Sequence, residues 1–123
     1  MAQDNNLVHV TDRDGVRLVR LRAGGIRDER DVETFGAELM ALAEVPGRRI
    51  VLSFLGVRHL TSLVLGKLIH VHKRLAESGG EIRLADIQPQ ILEVFRITHL
   101  DRLFEIYDHE ESAVASFQAA AED

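Results

Sequence analysis

The sequence predicts an α/β fold in which a mixed β-sheet, in the order β-β-α-β-α-β-α-β-α, is packed against helices. Two observations carry this prediction. An opening pair of apolar segments is separated by a turn signal, and the short apolar runs that follow alternate with segments of helical periodicity. Strands separated by helices pair in parallel through right-handed crossovers. At 123 residues the chain fits a single domain over 1–123, with its core at about 7–118.

The first element is a predicted hairpin. Apolar-rich segments at 7–10 and 16–21 flank Asp14 and Gly15, two residues that tolerate the positive φ of a two-residue turn. Gly24-Gly25 is then expected to end the second strand.

A helix is expected next, between the acidic segment 28–33 and Pro46-Gly47. Its apolar residues recur at steps of three and four and define one buried face: Val32, Phe35, Gly36, Leu39, Met40 and Ala43. The acidic residues are typical of a solvated helix start. Asp28 could also border a binding site, because loops at the ends of neighbouring parallel strands lie close together.

The centre of the chain predicts a buried strand at 50–55, a connection at 56–60 and a long helix at 62–78 that Gly79-Gly80 ends. The remainder predicts a strand at 81–85, a helix from Pro89 to Thr98, a short strand at 104–107 and an alanine-rich helix at 110–121.

Composition excludes several classes of function. The absence of cysteine rules out a disulfide framework, a zinc ribbon and a thiol nucleophile. A net charge of -5, with only five Phe and one Tyr, argues against a direct nucleic-acid partner. No apolar run reaches the roughly 20 residues that span a membrane, and the first residues lack the order of a signal peptide. We therefore expect a cytoplasmic protein with no membrane insertion and no cofactor.

The outer side of the helix predicted at 62–78 carries residue types that are common in protein-binding surfaces. Thr61 or Ser62 is expected to cap its first turn. The outer side begins with Leu63 and continues with Lys67, His70, Arg74 and Glu77. A solvated helix face rarely begins with a leucine, whereas a leucine, a cation and a histidine in register are typical of a docking surface.

The same region resembles a known family. The apolar strand Ile-Val-Leu-Ser-Phe at 50–54 leads into Leu-Thr-Ser-Leu-Val-Leu-Gly-Lys-Leu at 60–68. This stretch resembles the hydrophobic strand and the Asp-Ser-Ser-Gly-Leu-Gly motif of STAS domains, the domains of bacterial anti-sigma factor antagonists. Further similar segments, in the same order as in the family, extend the resemblance over roughly 16–117; they lie at 79–84, 87–89 and 94–104.

The resemblance implies a STAS-like partner-switching protein that regulates transcription. Such a protein binds an anti-sigma factor, usually a serine kinase, and phosphorylation of the motif's first serine releases it. That serine maps onto Ser62, with Thr61 as the second choice. The residues expected to contact the partner are Asp28, His59, Thr61, Ser62, Leu63, Lys67, His70 and Arg74.

These residues also allow other interpretations. Ser62 could serve only as a helix cap. His70 and His72 lie two residues apart, do not face each other on a helix and lack an acidic partner, which disfavours a metal site. A hydrolase would pair Ser62 with His59 or His99, but the Gly-x-Ser-x-Gly elbow is absent, so we expect no enzyme activity.

A second class of function also remains open, that of a STAS-like structural subunit of a lipid-transport ATPase or of a signalling scaffold. Thr61, Leu63 and Val64 depart from the motif, where the family has Asp, Ser and Gly. Leu63 and Val64 would enlarge an apolar patch, which suits permanent association. The sequence leaves open the identity of the partner and whether a weak homodimer forms.

Overall fold

The computed structural model describes residues 7–22, 26 and 28–122. Its elements in chain order are β1 (Val8–Arg13), β2 (Val16–Leu21), α1 (Glu29–Ala43), β3 (Arg49–Ser53), α2 (Ser62–Glu77), β4 (Glu81–Ala85), α3 (Pro89–Ile97), a 3-10 turn (Leu100–Arg102), β5 (Ile106–Tyr107) and α4 (Glu110–Glu122). The strands form one sheet in the order β1-β2-β3-β4-β5. The predicted mixed α/β fold is therefore confirmed, while the predicted stop at Gly24-Gly25 lies outside the described residues.

The hairpin forms as the turn residues require. β1 and β2 pair antiparallel with Arg13 opposite Val16, which leaves two residues in the turn. Asp14 and Gly15 have φ values of 56° and 88°. Positive φ at both central positions gives the turn whose twist matches that of the flanking strands.

The parallel strands place the helices in two layers. The three crossovers between β2 and β5 step across the sheet in one direction, and right-handed crossovers of that kind put their helices on the same face. Accordingly α1, α2 and α3 share one core, to which they contribute Phe35, Leu68 and Phe95. The helix α4 covers the opposite face through Ala113 and Phe117.

All four helices begin at the same edge of the sheet. The strands β2, β3, β4 and β5 are parallel, and a helix follows each of them. We call the edge where these strands end the carboxyl edge, and the opposite one the amino edge. The carboxyl edge is where open α/β sheets generally bind their ligands.

Two predicted strands are too long. The strand β3 ends at Ser53 because the chain turns at Phe54, whose carbonyl accepts a hydrogen bond from the Val57 N–H at 2.9 Å. Leu55, predicted inside the strand, is 56% exposed in that turn. The last strand contains only Ile106 and Tyr107. Phe104, predicted at its start, is instead buried against other aromatic rings.

Gly80, between α2 and β4, is required by steric contact. A Cβ atom there would lie 2.5 Å from the Arg48 carbonyl oxygen and 3.0 Å from Leu75 Cδ2. Because backbone cannot move aside as a side chain can, we expect Gly80→Ala to lower the free energy of unfolding by about 2 kcal/mol. Urea denaturation would measure this loss.

Gly66 provides the matched control. It is exposed within α2, and a Cβ atom there would meet nothing within 4 Å. Alanine is the better helix former, so Gly66→Ala is expected to raise the free energy of unfolding by about 0.5–1 kcal/mol. Both variants restrict the unfolded chain in the same way. Changes of the same sign in the two proteins would contradict the steric explanation.

Candidate functional site

The start of α2 lies at the carboxyl edge. Its backbone conformation shows which of the two candidates, Thr61 or Ser62, is the N-cap. Thr61 has extended backbone angles (φ -98°, ψ 163°), and its Oγ1 accepts a hydrogen bond from the Val64 N–H at 3.4 Å. Ser62 is the first residue of the helix and is exposed. The cap is therefore Thr61, so the Ser62 hydroxyl lies outside the capping interaction.

Two exposed leucines accompany Ser62. Leu63 is 54% exposed in the first turn of α2, and Leu55 is 56% exposed in the turn that follows β3. His59 is also exposed, whereas Leu60 is partly buried against the core. We call five of the exposed residues of this strand-to-helix connection the junction surface; they are Leu55, His59, Thr61, Ser62 and Leu63.

Val64 corrects one expectation about this surface. It is fully buried in the core beneath α2, because the helix turns it away from Leu63. The proposal that Val64 enlarges the apolar patch is therefore wrong. Leu55, which was predicted inside a strand, provides the second exposed leucine instead.

The cations on the outer side of α2 are bound within the chain. Lys67 Nζ lies 3.2 Å from Glu33 Oε1 of α1. Arg74 contacts both Glu44, at 2.9 Å, and Glu77, at 3.2 Å. The pairs with Glu33 and Glu44 join α2 to α1 and its C-cap, whereas the pair with Glu77 lies within α2. A partner that uses Lys67 or Arg74 must share or exchange these pairs. Their role as partner contacts stays a prediction.

A groove lies between α1 and α2 where the Lys67 side chain passes over Gly36. Gly36 allows the Lys67 side chain to cross α1, since a Cβ atom there would lie 2.8 Å from Lys67 Cδ. The groove, of about 210 Å³, is lined by Glu33, Gly36, Ala37, Met40, Lys67 and His70. His70 is exposed at its side, which leaves this predicted contact residue accessible.

Asp28 also lies at the carboxyl edge. It caps α1, since its Oδ1 accepts a hydrogen bond from the Asp31 N–H at 2.9 Å, and it is exposed. The cap confirms the predicted helix start and places Asp28 at the same sheet edge as the junction surface. Its contact with a partner stays a prediction.

His72 packs against an aromatic ring on the inner side of α2. His72 is partly buried, with its ring 5.4 Å from that of Phe104, as expected for a packed histidine. Among the described residues, no group of three or more potential ligands could hold a metal ion. Within the same residues, none of the helices is both long enough and apolar enough to span a membrane.

A polar cluster that was not predicted lies below the junction surface, on the α4 side of the sheet. Glu110, the first residue of α4, accepts hydrogen bonds from Arg20 Nε at 2.8 Å and Nη2 at 2.7 Å. These bonds lower the pKa of Glu110 against the opposing effect of burial. The pairing joins residues 90 positions apart. In the sequence, the opposite charges of Arg20 and Glu110 are the only signal of this ion pair.

The lowered pKa of Glu110 makes stability depend on pH. The stabilisation of the folded state by the ionised Glu110 carboxylate is complete above the unfolded-state pKa of about 4.3. It is lost as the pH falls through the lower pKa of the folded state. Since the Arg20 side chain is 42% exposed, we expect Glu110→Gln to cost only about 1 kcal/mol at neutral pH. Urea denaturation at about pH 7 and about pH 3.5 should show a smaller difference between wild type and variant at the lower pH. An unchanged difference would contradict the role of this carboxylate.

Comparison with known proteins gives consistent matches. The sequence model of the STAS domain matches residues 8–113. The "Putative anti-sigma factor antagonist BtrV" of Bordetella bronchiseptica is 30% identical over 107 residues, 87% of this chain and 90% of that protein. The anti-sigma F factor antagonist of Paenibacillus polymyxa is 28% identical over 111 residues, 87% of this chain and 91% of that protein. An anti-sigma-factor antagonist (STAS) domain protein from Planctomyces limnophilus superposes with a TM-score of 0.78 at 25% identity, covering 88% of this chain and 96% of that one.

Proposed function

The chain belongs to the STAS domain family, and on this basis we propose that it is an anti-sigma factor antagonist that phosphorylation of Ser62 releases from its partner. Two relatives that align over most of their length carry the name of anti-sigma factor antagonist. The observation that carries the proposal is the exposed Ser62 at the first position of α2, next to the exposed Leu63. As proposed, the protein acts in the cytoplasm by binding alone, and its partner is an anti-sigma factor of the serine kinase type.

The unmodified protein would bind through the junction surface. Leu55 and Leu63 are large apolar side chains that remain more than half exposed, and the burial of apolar surface is the dominant favourable contribution in most protein–protein association. Ser62 and Leu63 are both exposed in the first turn of α2, and the proposed partner covers the serine hydroxyl together with the leucine. Binding and modification of the same surface would thus exclude each other.

Phosphorylation of Ser62 should leave the fold intact. A phosphate adds roughly -1.5 to -2 charges, and the first amides of a helix together with its dipole favour negative charge there. Ser62 occupies that position, and α2 has no acidic residue in its first turn to repel the phosphate. A bound partner, in contrast, would have to bury the new charge, at a cost of several kcal/mol if the charge is unpaired. Modification would therefore cause release without unfolding.

Binding of a candidate anti-sigma factor kinase to Ser62→Ala and Ser62→Asp tests this proposal. The alanine variant should bind within about twofold of wild type, and the aspartate variant at least about tenfold more weakly, because only the latter brings charge into the interface. Isothermal titration calorimetry would give both affinities, and melting temperatures would show that both variants fold. Equal affinities would remove Ser62 as the switch.

A matched variant separates the two candidate hydroxyls. Thr61→Asn removes the Thr61 hydroxyl but keeps a side-chain oxygen that caps α2, since Asn is among the best N-cap residues. After incubation with the kinase and ATP, mass spectrometry should find one phosphate on wild type and on Thr61→Asn, and none on Ser62→Ala. Phosphate on Ser62→Ala but not on Thr61→Asn would show that Thr61 is the phosphorylated residue.

The two exposed leucines also support a second candidate, a STAS subunit held permanently in a larger assembly without phosphorylation. A permanent interface is generally more apolar than a transient one. Purification from the source cells distinguishes the two candidates. A fixed stoichiometric partner, together with unmodified Ser62 under all growth conditions, would favour the subunit over the switch.

A further inference from the structure

The turn that follows β3 presents Leu55 at an exposed corner. A hydrogen bond from the Val57 N–H to the Phe54 carbonyl closes this turn at 2.9 Å. Gly56 has a φ of 84°, whereas Leu55 lies outside the positive-φ region. A positive φ at the third residue, and not at the second, is characteristic of a type II turn. Leu55 is therefore the second residue of such a turn, and it is 56% exposed.

The core and the sheet fix both ends of this turn. The side chains of Phe54 and Val57 are buried, which anchors the first and the last residue of the turn. The Phe54 N–H donates to the Ala85 carbonyl of β4 at 2.9 Å. The Leu55 N–H donates to Ser53 Oγ at 3.3 Å. The backbone on both sides of the exposed leucine is therefore held before any partner binds.

The conformation of this turn depends on Gly56. The left-handed region of φ is disfavoured for residues that have a Cβ atom and is open to glycine. A Cβ atom at Gly56 would meet nothing within 4 Å, so backbone conformation and not space requires the glycine. A residue that avoids positive φ would favour a type I turn, in which the peptide group between the two central residues is rotated by about 150°. Gly56 thus determines how the backbone presents Leu55.

We infer that Gly56 is a positioning residue that presents Leu55 as a preformed anchor to an apolar pocket of the partner. The inference rests on the proposed function, since the partner is the anti-sigma factor that covers the junction surface. The pocket is apolar because a leucine side chain gains free energy by leaving water and has no polar atom to pair. A turn that already has its bound conformation does not have to be ordered on binding, and such preorganisation increases affinity.

Gly56→Ala and Gly56→Asn test this inference. Asparagine adopts the left-handed region more readily than alanine, because its short polar side chain can hydrogen-bond locally. With the candidate anti-sigma factor kinase as the probe, affinity should fall by about tenfold in Gly56→Ala and by no more than about threefold in Gly56→Asn. Without the kinase, NMR should show faster amide exchange at Val57 in Gly56→Ala, because this amide closes the turn.

A double variant tests whether Gly56 acts through Leu55. Leu55→Ala removes the apolar side chain and should itself weaken binding by about tenfold. Leu55→Ala combined with Gly56→Ala should bind about as weakly as Leu55→Ala alone, since the turn then has no leucine to position. Losses that multiply to about a hundredfold would contradict a positioning role for Gly56.

Gly15 provides the matched control. It has a φ of 88° in the hairpin turn at the amino edge, and a Cβ atom there would also meet nothing within 4 Å. Gly15→Ala should therefore lower the melting temperature about as much as Gly56→Ala does, while affinity stays at the wild-type value. Equal losses of affinity in the two variants would overturn the inference.

Two further outcomes separate this inference from the proposed function. Wild-type affinity in Gly56→Ala, while Ser62→Asp still loses binding, would overturn the inference and leave the proposed function standing. A wild-type protein that binds no anti-sigma factor would overturn both.

Discussion

Replacement of Phe95 with alanine is expected to lower the free energy of unfolding by about 4 kcal/mol. Phe95 is fully buried, and its ring packs edge-to-face on Phe54 at 6.3 Å and on Phe104 at 6.4 Å. Only Ile91 and Phe95 of α3 are buried, so the helix loses half of its anchoring side chains. Urea denaturation would give the overall loss, and faster amide exchange should be most evident in α3.

Ile97 is the matched control on the same helix. It is 68% exposed, so Ile97→Ala removes an aliphatic side chain of α3 without a cavity. We expect its free energy of unfolding to stay within about 0.5 kcal/mol of wild type. Similar losses in Phe95→Ala and Ile97→Ala would contradict the claim that buried aromatic packing holds α3 in place.

Replacement of Leu63 with aspartate is expected to weaken anti-sigma factor binding by about a hundredfold. If Leu63 is buried at the centre of the proposed interface, the variant loses its apolar contact and introduces a charge that the partner must bury. The isolated protein should not be destabilised, because Leu63 is 54% exposed and aspartate is favourable in the first turn of a helix. Binding measured by calorimetry, with the melting temperature alongside, would show both effects.

Two control variants test whether the loss of binding is specific to the apolar side chain at Leu63. Leu63→Met keeps an apolar side chain of similar volume and should bind within about fivefold of wild type. Val45→Asp adds the same charge at a residue that is 44% exposed beyond the end of α1, at the amino edge, and should bind as wild type does. If Val45→Asp weakened binding as much as Leu63→Asp, net charge and not the junction surface would control association.

The elements with strong local signals could be predicted from the sequence. The Asp28 cap, the stop after α2 at Gly79 with φ of 80°, and the turn at Asp14 and Gly15 each depend on neighbouring residues alone. Such signals act within one turn of the chain and need no knowledge of the tertiary structure. For this reason the predicted helix bounds agree with the structure to within a few residues.

Features that depend on distant contacts could not be predicted in this way. The apolar pattern does not show that Phe104 packs on Phe95 instead of extending the last strand, or that the chain turns before Leu55. Both Thr61 and Ser62 have a suitable capping oxygen, and only the extended backbone at Thr61 decides between them. The same limit applies to Glu110, whose hydrogen-bond partners Arg20 and Asp86 come from two other segments of the chain.

The parallel strands place the amino edge of the sheet opposite the junction surface. At that edge the chain reverses direction in exposed turns, one of which contains Pro46. Because the sequence has no cysteine, Pro46→Cys would introduce one unique attachment point for a fluorophore or a sensor chip. A molecule immobilised there would present its junction surface to solution, so binding and its reversal by a kinase could be followed in real time on the same sample.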